Sequence, residues 1–116
     1  WASEIRFLSI DASPVLSLEG NQLPIQFALH QNYPNPFNPT TNIKYDLPKD
    51  SFVQISIYDI TGRKIKNLFS GMQFAGNRQV RWDATNDIGQ GVSAGMYIYT
   101  IQAEAFRSTK KMVLLK

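Results

Sequence analysis

The pattern most suggestive of catalysis is a glycine–serine motif at residues 91–95. Gly91-Val92-Ser93-Ala94-Gly95 matches the G-x-S-x-G elbow of serine hydrolases, in which a strand precedes the serine and a helix follows it. The residues after this motif alternate like a strand, and the single histidine, His30, precedes the serine. The chain has no cysteine, which excludes thiolate nucleophiles and cysteine-ligated metal sites. We therefore expect no catalytic residues and no enzymatic activity.

A second candidate site is a short acidic loop. Asp83, Asn86 and Asp87 precede Gly89, and their side-chain oxygens are of the type that binds calcium. No glutamate follows at the position where an EF-hand loop has its bidentate ligand. Asx turns between two strands are the default interpretation of this spacing. We expect no metal and no other cofactor, with a structural calcium ion as the alternative.

Three aromatic residues allow a binding function. Trp82, Tyr97 and Tyr99 could stack against sugar rings if they lay together on an exposed sheet face. Each alternates with polar neighbours along the sequence, which is typical of core residues on a half-buried strand. We expect all three to be buried, each polar group needing one hydrogen-bond partner.

The distribution of charge excludes one class of partner. The chain carries 12 Lys and Arg against 9 Asp and Glu, a net charge of +3. Nucleic-acid binding usually requires a basic stripe across one face. Here the excess lies only in residues 104–116, where Arg107, Lys110, Lys111 and Lys116 oppose Glu104. We therefore expect no nucleic acid as a partner. Because no catalytic set is expected, we also expect no small-molecule substrate.

The chemistry-bearing residues must be positioned by strands, because hydrophobic residues recur with period 2 through most of the chain. This alternation predicts six strands, at residues 43–47, 53–58, 63–69, 79–83, 96–103 and 109–115. Residues 59–62 predict a type I turn with a left-handed glycine between the second and third strands. The third stretch also matches a helical period through Ile65, Leu68, Phe69 and Met72, but its eight residues between glycines favour a strand.

A proline-rich segment precedes these strands. In Tyr33–Pro39 three prolines favour an extended backbone and donate no hydrogen bond. The segment is therefore expected at a sheet edge or across one end of the fold, with Tyr33 and Phe37 directed into the core. Six strands, this segment and no convincing helix predict an all-β fold, an immunoglobulin-like antiparallel β-sandwich of about seven strands.

The domain boundary is expected where the composition changes. Residues 1–10 alternate weakly and could be a strand of a preceding domain, and residues 11–26 have the Ser, Pro, Gly and Asn content of a linker. We therefore assign 1–26 to the end of a preceding domain and a linker, and 27–116 to the sandwich. Trp1 in place of an initiator Met indicates a fragment of a larger protein.

Several motifs, in order, resemble one known family. They are YPNPFNPTT at 33–41, IKYDLP at 43–48, the strand 53–59, GR at 62–63, GMY at 95–97 and TKKMVLLK at 109–116. This combination is similar to the type IX secretion C-terminal sorting domain, a family related in fold to the immunoglobulin-like domain of flagellar hook-capping proteins.

The resemblance implies a non-catalytic signal that directs an attached cargo protein across the outer membrane. It further implies a cargo domain N-terminal in the same chain, recognition by outer-membrane secretion machinery, and cleavage by a sortase-like peptidase. The localisation implied is secreted or on the surface of a Gram-negative bacterium, reached through the periplasm. A carbohydrate-binding or structural immunoglobulin-like accessory module of a secreted enzyme is the alternative function.

Recognition by the secretion machinery requires a shape and a charge. We expect the proline-rich segment and the loop before the fifth strand to fix the shape, and the last strand to offer an edge and two cations. The candidate recognition residues are Pro34, Asn35, Pro36, Phe37, Gly95, Tyr97, Lys110 and Lys111.

Overall fold

The computed structural model describes residues 23–115, which form seven strands and no helix. The strands are β1 (Ala28–Leu29), β2 (Thr41–Leu47), β3 (Ser51–Asp59), β4 (Lys64–Gln73), β5 (Gly76–Trp82), β6 (Gly95–Ala103) and β7 (Phe106–Leu114). The strand expected at 1–10 and most of the expected linker lie outside the described residues. The six strands predicted from alternation are confirmed, and β1 is the seventh.

The strands form two antiparallel sheets. One sheet has three strands in the order β1-β2-β5, and the other has four in the order β4-β3-β6-β7. The chain passes between the sheets at two short connections, from Leu47 to Ser51 and from Gln73 to Gly76. The inner faces of both sheets contribute to one core, so the two sheets stack as a sandwich, and the predicted immunoglobulin-like architecture is confirmed.

The core lies between the sheets, where the alternation of the sequence places it. Every second residue of β2 is buried, namely Thr41, Ile43, Tyr45 and Leu47. The same pattern buries Val53, Ile55 and Ile57 of β3 and Tyr97, Tyr99 and Ile101 of β6. Each large aliphatic side chain buried here stabilises the fold by about 1.5–3 kcal/mol.

The turn between β3 and β4 is the predicted one. Gly62 has φ of +91° and donates its N–H to the Asp59 carbonyl at 3.0 Å, while the Asp59 N–H donates to the Arg63 carbonyl at 3.0 Å. The Asp59 carboxylate accepts hydrogen bonds from the Thr61 hydroxyl, the Arg63 N–H and the Thr61 N–H. These bonds, the Thr61 hydroxyl first, lower the pKa of Asp59.

The helical period seen in the third stretch has its origin in two β-bulges. Ile55 pairs with Phe69 but Ser56 pairs with Asn67, so Leu68 is left without a partner on β3. In the same way Ile57 pairs with Lys66 and Tyr58 with Lys64, which leaves out Ile65. Each bulge shifts the alternation by one residue. Ile65, Leu68 and Phe69 therefore all pack against the hydrophobic core, although they belong to one strand.

The proline-rich segment joins the two sheets. Tyr33 pairs with Asn42 of β2 through two backbone hydrogen bonds of 2.9 Å. Farther along, Phe37 pairs with the end of β7, accepting from Leu115 N–H at 2.8 Å and donating to the Val113 carbonyl at 3.0 Å. The three X–Pro bonds in this segment are cis. The segment thus crosses from the edge of one sheet to the edge of the other.

The expected burial is confirmed for Phe37 and wrong for Tyr33. Phe37 is 1% exposed, whereas the Tyr33 side chain is 79% exposed. Paired residues of an antiparallel bridge direct their side chains to the same face, and Asn42 lies on the outer face of the three-stranded sheet. Pairing with Asn42 therefore directs Tyr33 outward.

A buried tyrosine holds the start of this segment. The Tyr99 hydroxyl donates to the His30 carbonyl at 2.7 Å and accepts from the Asn32 N–H at 2.8 Å. The Asn32 carboxamide, 2% exposed, donates to the Pro34 carbonyl and to the Thr41 hydroxyl. Burial raises the pKa of Tyr99 to about 12, against the lowering effect of the Asn32 N–H.

We predict that Tyr99→Phe destabilises the domain by about 1–3 kcal/mol, because a buried carbonyl and N–H lose their partner. Chemical denaturation measures this loss. The folded-state pKa of Tyr99 lies above the ordinary value of 10.0, so its contribution is present below pH 10 and lost as the pH rises toward 12. The parent should therefore lose more stability than the variant over this range, and equal losses would contradict the assignment.

Candidate functional site

Six of the eight candidate recognition residues lie together at one end of the sandwich. This distal end is formed by the start of β2, the ends of β3, β5 and β7, and the start of β6, as the pairs Thr41–Trp82 and Gly95–Leu114 show. Residues 34–37 cross it, and Gly95 and Tyr97 begin β6 there. The chain enters β1 at the opposite end, where Ala28 pairs with Asp46.

An aromatic cluster supports the distal end from below. The ring centroids of Phe37 and Trp82 are 5.8 Å apart, and those of Trp82 and Tyr97 are 5.4 Å apart in an edge-on arrangement. The Trp82 indole N–H donates to the Thr85 carbonyl at 2.9 Å, and the Tyr97 hydroxyl donates to the Ser93 carbonyl at 2.6 Å. Both ends of loop 83–94 are therefore attached to buried rings.

The rings considered for sugar stacking are core residues. Trp82 and Tyr99 are fully buried and Tyr97 is 6% exposed. Burial raises the pKa of Tyr97, with a smaller effect from the nearby Asp59 carboxylate. The expectation that these rings are buried is confirmed, and no face of them is available to a polysaccharide.

The outer edge of β7 is closed over its last residues. The Asn35 Oδ1 accepts the Val113 N–H at 2.9 Å, and the Gln31 side-chain amide donates to the Lys111 carbonyl at 2.8 Å. The Phe37 backbone hydrogen-bonds to the Val113 carbonyl and to the Leu115 N–H. The expectation that the last strand offers an open edge is thus wrong for residues 111–115, because the proline-rich segment pairs with it.

The two candidate lysines point to opposite faces of the four-stranded sheet. Lys110 is half-buried on the side of β7 that also carries Met112 and Leu114, which face the core. Lys111 is exposed on the outer face. Of the two cations expected on the last strand, only Lys111 is therefore on the outer face, because neighbouring residues of a strand alternate between its faces.

The acidic loop uses its oxygens to hold its own shape. Asp83 accepts the Thr85 hydroxyl at 2.6 Å, and Asn86 accepts the N–H groups of Ile88 and Gln90. The Asp87 carboxylate accepts the Asn67 N–H of β4 at 2.9 Å. The Thr85 hydroxyl is the main cause of the lowered pKa of Asp83. Residues 23–115 contain no group of three or more His, Cys, Asp or Glu side chains placed to hold a metal ion.

The glycine–serine motif does not form a hydrolase site. Ser93 is followed within two residues by β6, where a nucleophile elbow has a helix. His30 lies on the outer face of the three-stranded sheet, with its Nε2 2.9 Å from the Asp46 carboxylate. Gly95 adopts a φ of +145°, which eases the entry into β6.

Sequence reasoning missed the residue that connects these parts. Asn32 binds Pro34, Thr41 and Tyr99 and lies immediately before the proline-rich segment. A single asparagine beside a turn-like sequence is ordinarily exposed, so no local signal distinguishes it. Its role depends on the tertiary structure, which places Thr41 of β2 and Tyr99 of β6 beside it.

The fold and the distal end define the class of protein: an immunoglobulin-like β-sandwich whose two sheets are joined by a proline-rich segment. The model of the secretion system C-terminal sorting domain family matches residues 31–115, and the chain belongs to this family. It is a sorting signal of the type IX secretion system, which directs an attached cargo across the outer membrane to the cell surface or the medium.

Solved structures share the fold. The chain is similar to dimeric latent PorU from Porphyromonas gingivalis, with 20% identity and a TM-score of 0.61, over 78% of this chain and 9% of PorU. PorZ, a surface component of the type IX secretion system of the same bacterium, gives 20% identity and a TM-score of 0.50, over 78% of this chain and 11% of PorZ. FlgD from P. aeruginosa gives 22% identity and a TM-score of 0.51, over 68% of this chain and 67% of FlgD.

The chain therefore spans about a tenth of the length of PorU and PorZ. No curated protein sequence matches it. Within residues 23–115 there is no helix long and apolar enough to cross a membrane.

We predict that Trp82 emits at a short wavelength typical of a buried indole and that soluble polysaccharides leave this emission unchanged. The chain contains a second tryptophan, Trp1, so the measurement uses a Trp1→Phe variant. A red-shifted emission that moves on addition of polysaccharide would restore the sugar-binding interpretation.

We also predict that the hydrogen bond to the Asn35 carboxamide oxygen stabilises the outer edge of β7. Asn35→Ala leaves the Val113 N–H without its acceptor and should cost about 0.5–1.5 kcal/mol. Asn35→Asp keeps an oxygen at the same place and serves as the matched control. Hydrogen exchange at Val113 should accelerate in the alanine variant alone; acceleration in both variants would contradict this role.

Proposed function

We propose that the secretion machinery recognises the folded domain as a whole as a non-catalytic signal, and not the linear motifs that the domain contains. The observation that carries this proposal is that two aromatic motif residues are buried and that Asn35 is hydrogen-bonded to the last strand. Phe37 and Tyr97 lie in the core, and Asn35 is bonded to β7. A partner cannot contact Phe37 or Tyr97 without unfolding the domain. The neighbouring Pro34, Asn35 and Pro36 are exposed, and these buried anchors fix the shape in which they are presented.

The position of the chain entry fits a cargo attached at the N-terminal side. Residues 1–26, assigned to the end of a preceding domain and a linker, would attach the cargo at the end of the sandwich opposite the proline-rich segment. Leu23 and Ile25 are 56% and 95% exposed. Such an exposed stretch is accessible to a peptidase. We propose that the cargo passes through the periplasm and that a sortase-like peptidase then cleaves in this region.

The candidate recognition residues divide into two groups under this proposal. Residues 34–37, Gly95 and Tyr97 maintain the distal end, whereas Lys111 presents a charge to solvent. Lys110 is half-buried on the core side and contributes to packing. Exposed cations accelerate the encounter with an acidic partner.

We predict that a reporter protein fused to residues 27–116 is exported in a host that has the type IX machinery. Lys111→Glu should lower export while changing stability by about 0.5 kcal/mol or less, because its side chain is exposed. Lys110→Glu should cost about 1 kcal/mol, because it places a carboxylate beside the core. Export is measured as the fraction of reporter outside the cell, and stability by thermal unfolding.

Lys49→Glu is the matched control, since Lys49 is an exposed cation in the turn between β2 and β3. It should be exported like the parent. A parent fusion that stays in the periplasm would overturn the sorting function of this chain. Export of the Lys111→Glu fusion at the parent level would overturn only the proposed role of Lys111.

A further inference from the structure

The outer face of the four-stranded sheet contains a shallow polar hollow of about 140 Å³. Its floor consists of neighbouring side chains of the two central strands, β3 and β6. These are Gln54, Ser56, Tyr58, Thr100 and Gln102. In the pairing register, Tyr58 lies beside Ile98, Ser56 beside Thr100, and Gln54 beside Gln102.

Cations flank this hollow on both sides. Lys64 of β4 pairs with Tyr58, and Arg107 of β7 pairs with Gln102, and both line the hollow. Lys111 extends the same face, opposite Ile98. In the part of the chain that the structure describes, none of the three cations forms an ion pair with a carboxylate.

Several donors of the hollow have no partner among the described residues. Thr100 is bonded to Thr109, and Gln102 bonds to the Glu104 carbonyl and accepts from Arg107. Within residues 23–115, the hydroxyls of Ser56 and Tyr58 and the Lys64 ammonium make no hydrogen bond to another residue. Free hydroxyl and cationic donors on one floor are suited to a carboxylate, with which charge-assisted hydrogen bonds form.

Two acidic residues lie close in sequence to this face, and both are already bonded. Asp59, which follows Tyr58, accepts hydrogen bonds from Thr61 and Arg63. Glu104 lies in the turn between β6 and β7, and its carboxylate accepts the Phe52 N–H at 2.8 Å. The outer face of the other sheet differs in that it carries both signs of charge, because Lys44 and Arg81 share it with the Asp46–His30 pair. The residues that line the hollow of the four-stranded face therefore carry positive charge only.

Apolar side chains lie at both ends of the same face. Phe52 and Met72 are paired across β3 and β4 and are 47% and 64% exposed. At the distal end Met96 is 45% exposed. Four strands about 4.8 Å apart span about 14 Å. A free anion would cover only the hollow, whereas a protein surface would cover the apolar ends as well.

We propose that the outer face of the four-stranded sheet is the docking surface for an acidic protein surface of the secretion machinery, whose carboxylates enter the hollow between Lys64 and Arg107. This inference rests on the proposed function and adds to it the face and the chemistry of the partner. Phe52, Met72 and Met96 pack against the apolar rim of that partner surface.

The test compares two triple charge reversals in the exported fusion of the full chain. Lys64→Glu, Arg107→Glu and Lys111→Glu change the proposed face. Lys44→Glu, Lys49→Glu and Arg81→Glu make the same change in net charge elsewhere on exposed positions. We expect export of the first variant to fall about tenfold and export of the second to change less than about twofold.

A third variant keeps every charge: Lys64→Arg, Arg107→Lys and Lys111→Arg should be exported like the parent. Thermal unfolding of all three variants should stay close to that of the parent, and it excludes loss of folding as the cause. Equal export of the two reversals, with the parent exported, would overturn the proposed face and leave the sorting function intact. Failure of the parent itself would overturn the sorting function.

A binding measurement on the full ¹⁵N-labelled chain identifies the ligand chemistry. An extended hexaglutamate peptide at low salt should shift the amide signals of Ser56, Tyr58 and Gln102, and the first reversal should abolish these shifts. Shifts confined to the outer face of the three-stranded sheet, or none at all, would overturn the proposal. Binding of inorganic phosphate in place of the peptide would overturn it as well, in favour of a small-anion site.

Discussion

The structure depends on one buried hydroxyl group. Tyr99 of β6 bonds to the backbone of both His30 and Asn32, and Asn32 then bonds to Pro34 and Thr41. A buried polar network is stable only when every member has a partner, so these residues hold one another in a single arrangement. The path of the proline-rich segment, from the edge of β2 to the edge of β7, follows from this arrangement.

That path divides the family motif into a buried and an exposed part: Phe37 enters the core, whereas Tyr33 and residues 34–36 stay at the surface. The segment places Phe37 beside Trp82 and closes the outer edge of β7 at residues 111–115. An open edge strand pairs readily with other chains, and closing it protects the domain while it is exported. In our proposal, recognition uses the outward face of the four-stranded sheet, which carries Lys64, Arg107 and Lys111.

PorU, PorZ and FlgD contain the same sandwich at about a fifth sequence identity. A β-sandwich core tolerates such divergence, because alternation and volume suffice to fill it. Function then lies in the surface placed on the fold. In this chain the core sets the position of the strands, and the strands set the spacing of the cations and donors on the outer face.

Local patterns of the sequence determined the strands, the turn at residues 59–62 and the burial of Trp82, Tyr97 and Tyr99, because period-2 alternation and turn chemistry act over a few residues. Tertiary structure alone decided what depends on distant partners. Tyr33 points outward because it pairs with Asn42, and the bulges opposite β3 place Leu68 against the core. Asn35 meets Val113 across 78 residues, a contact that no local pattern specifies.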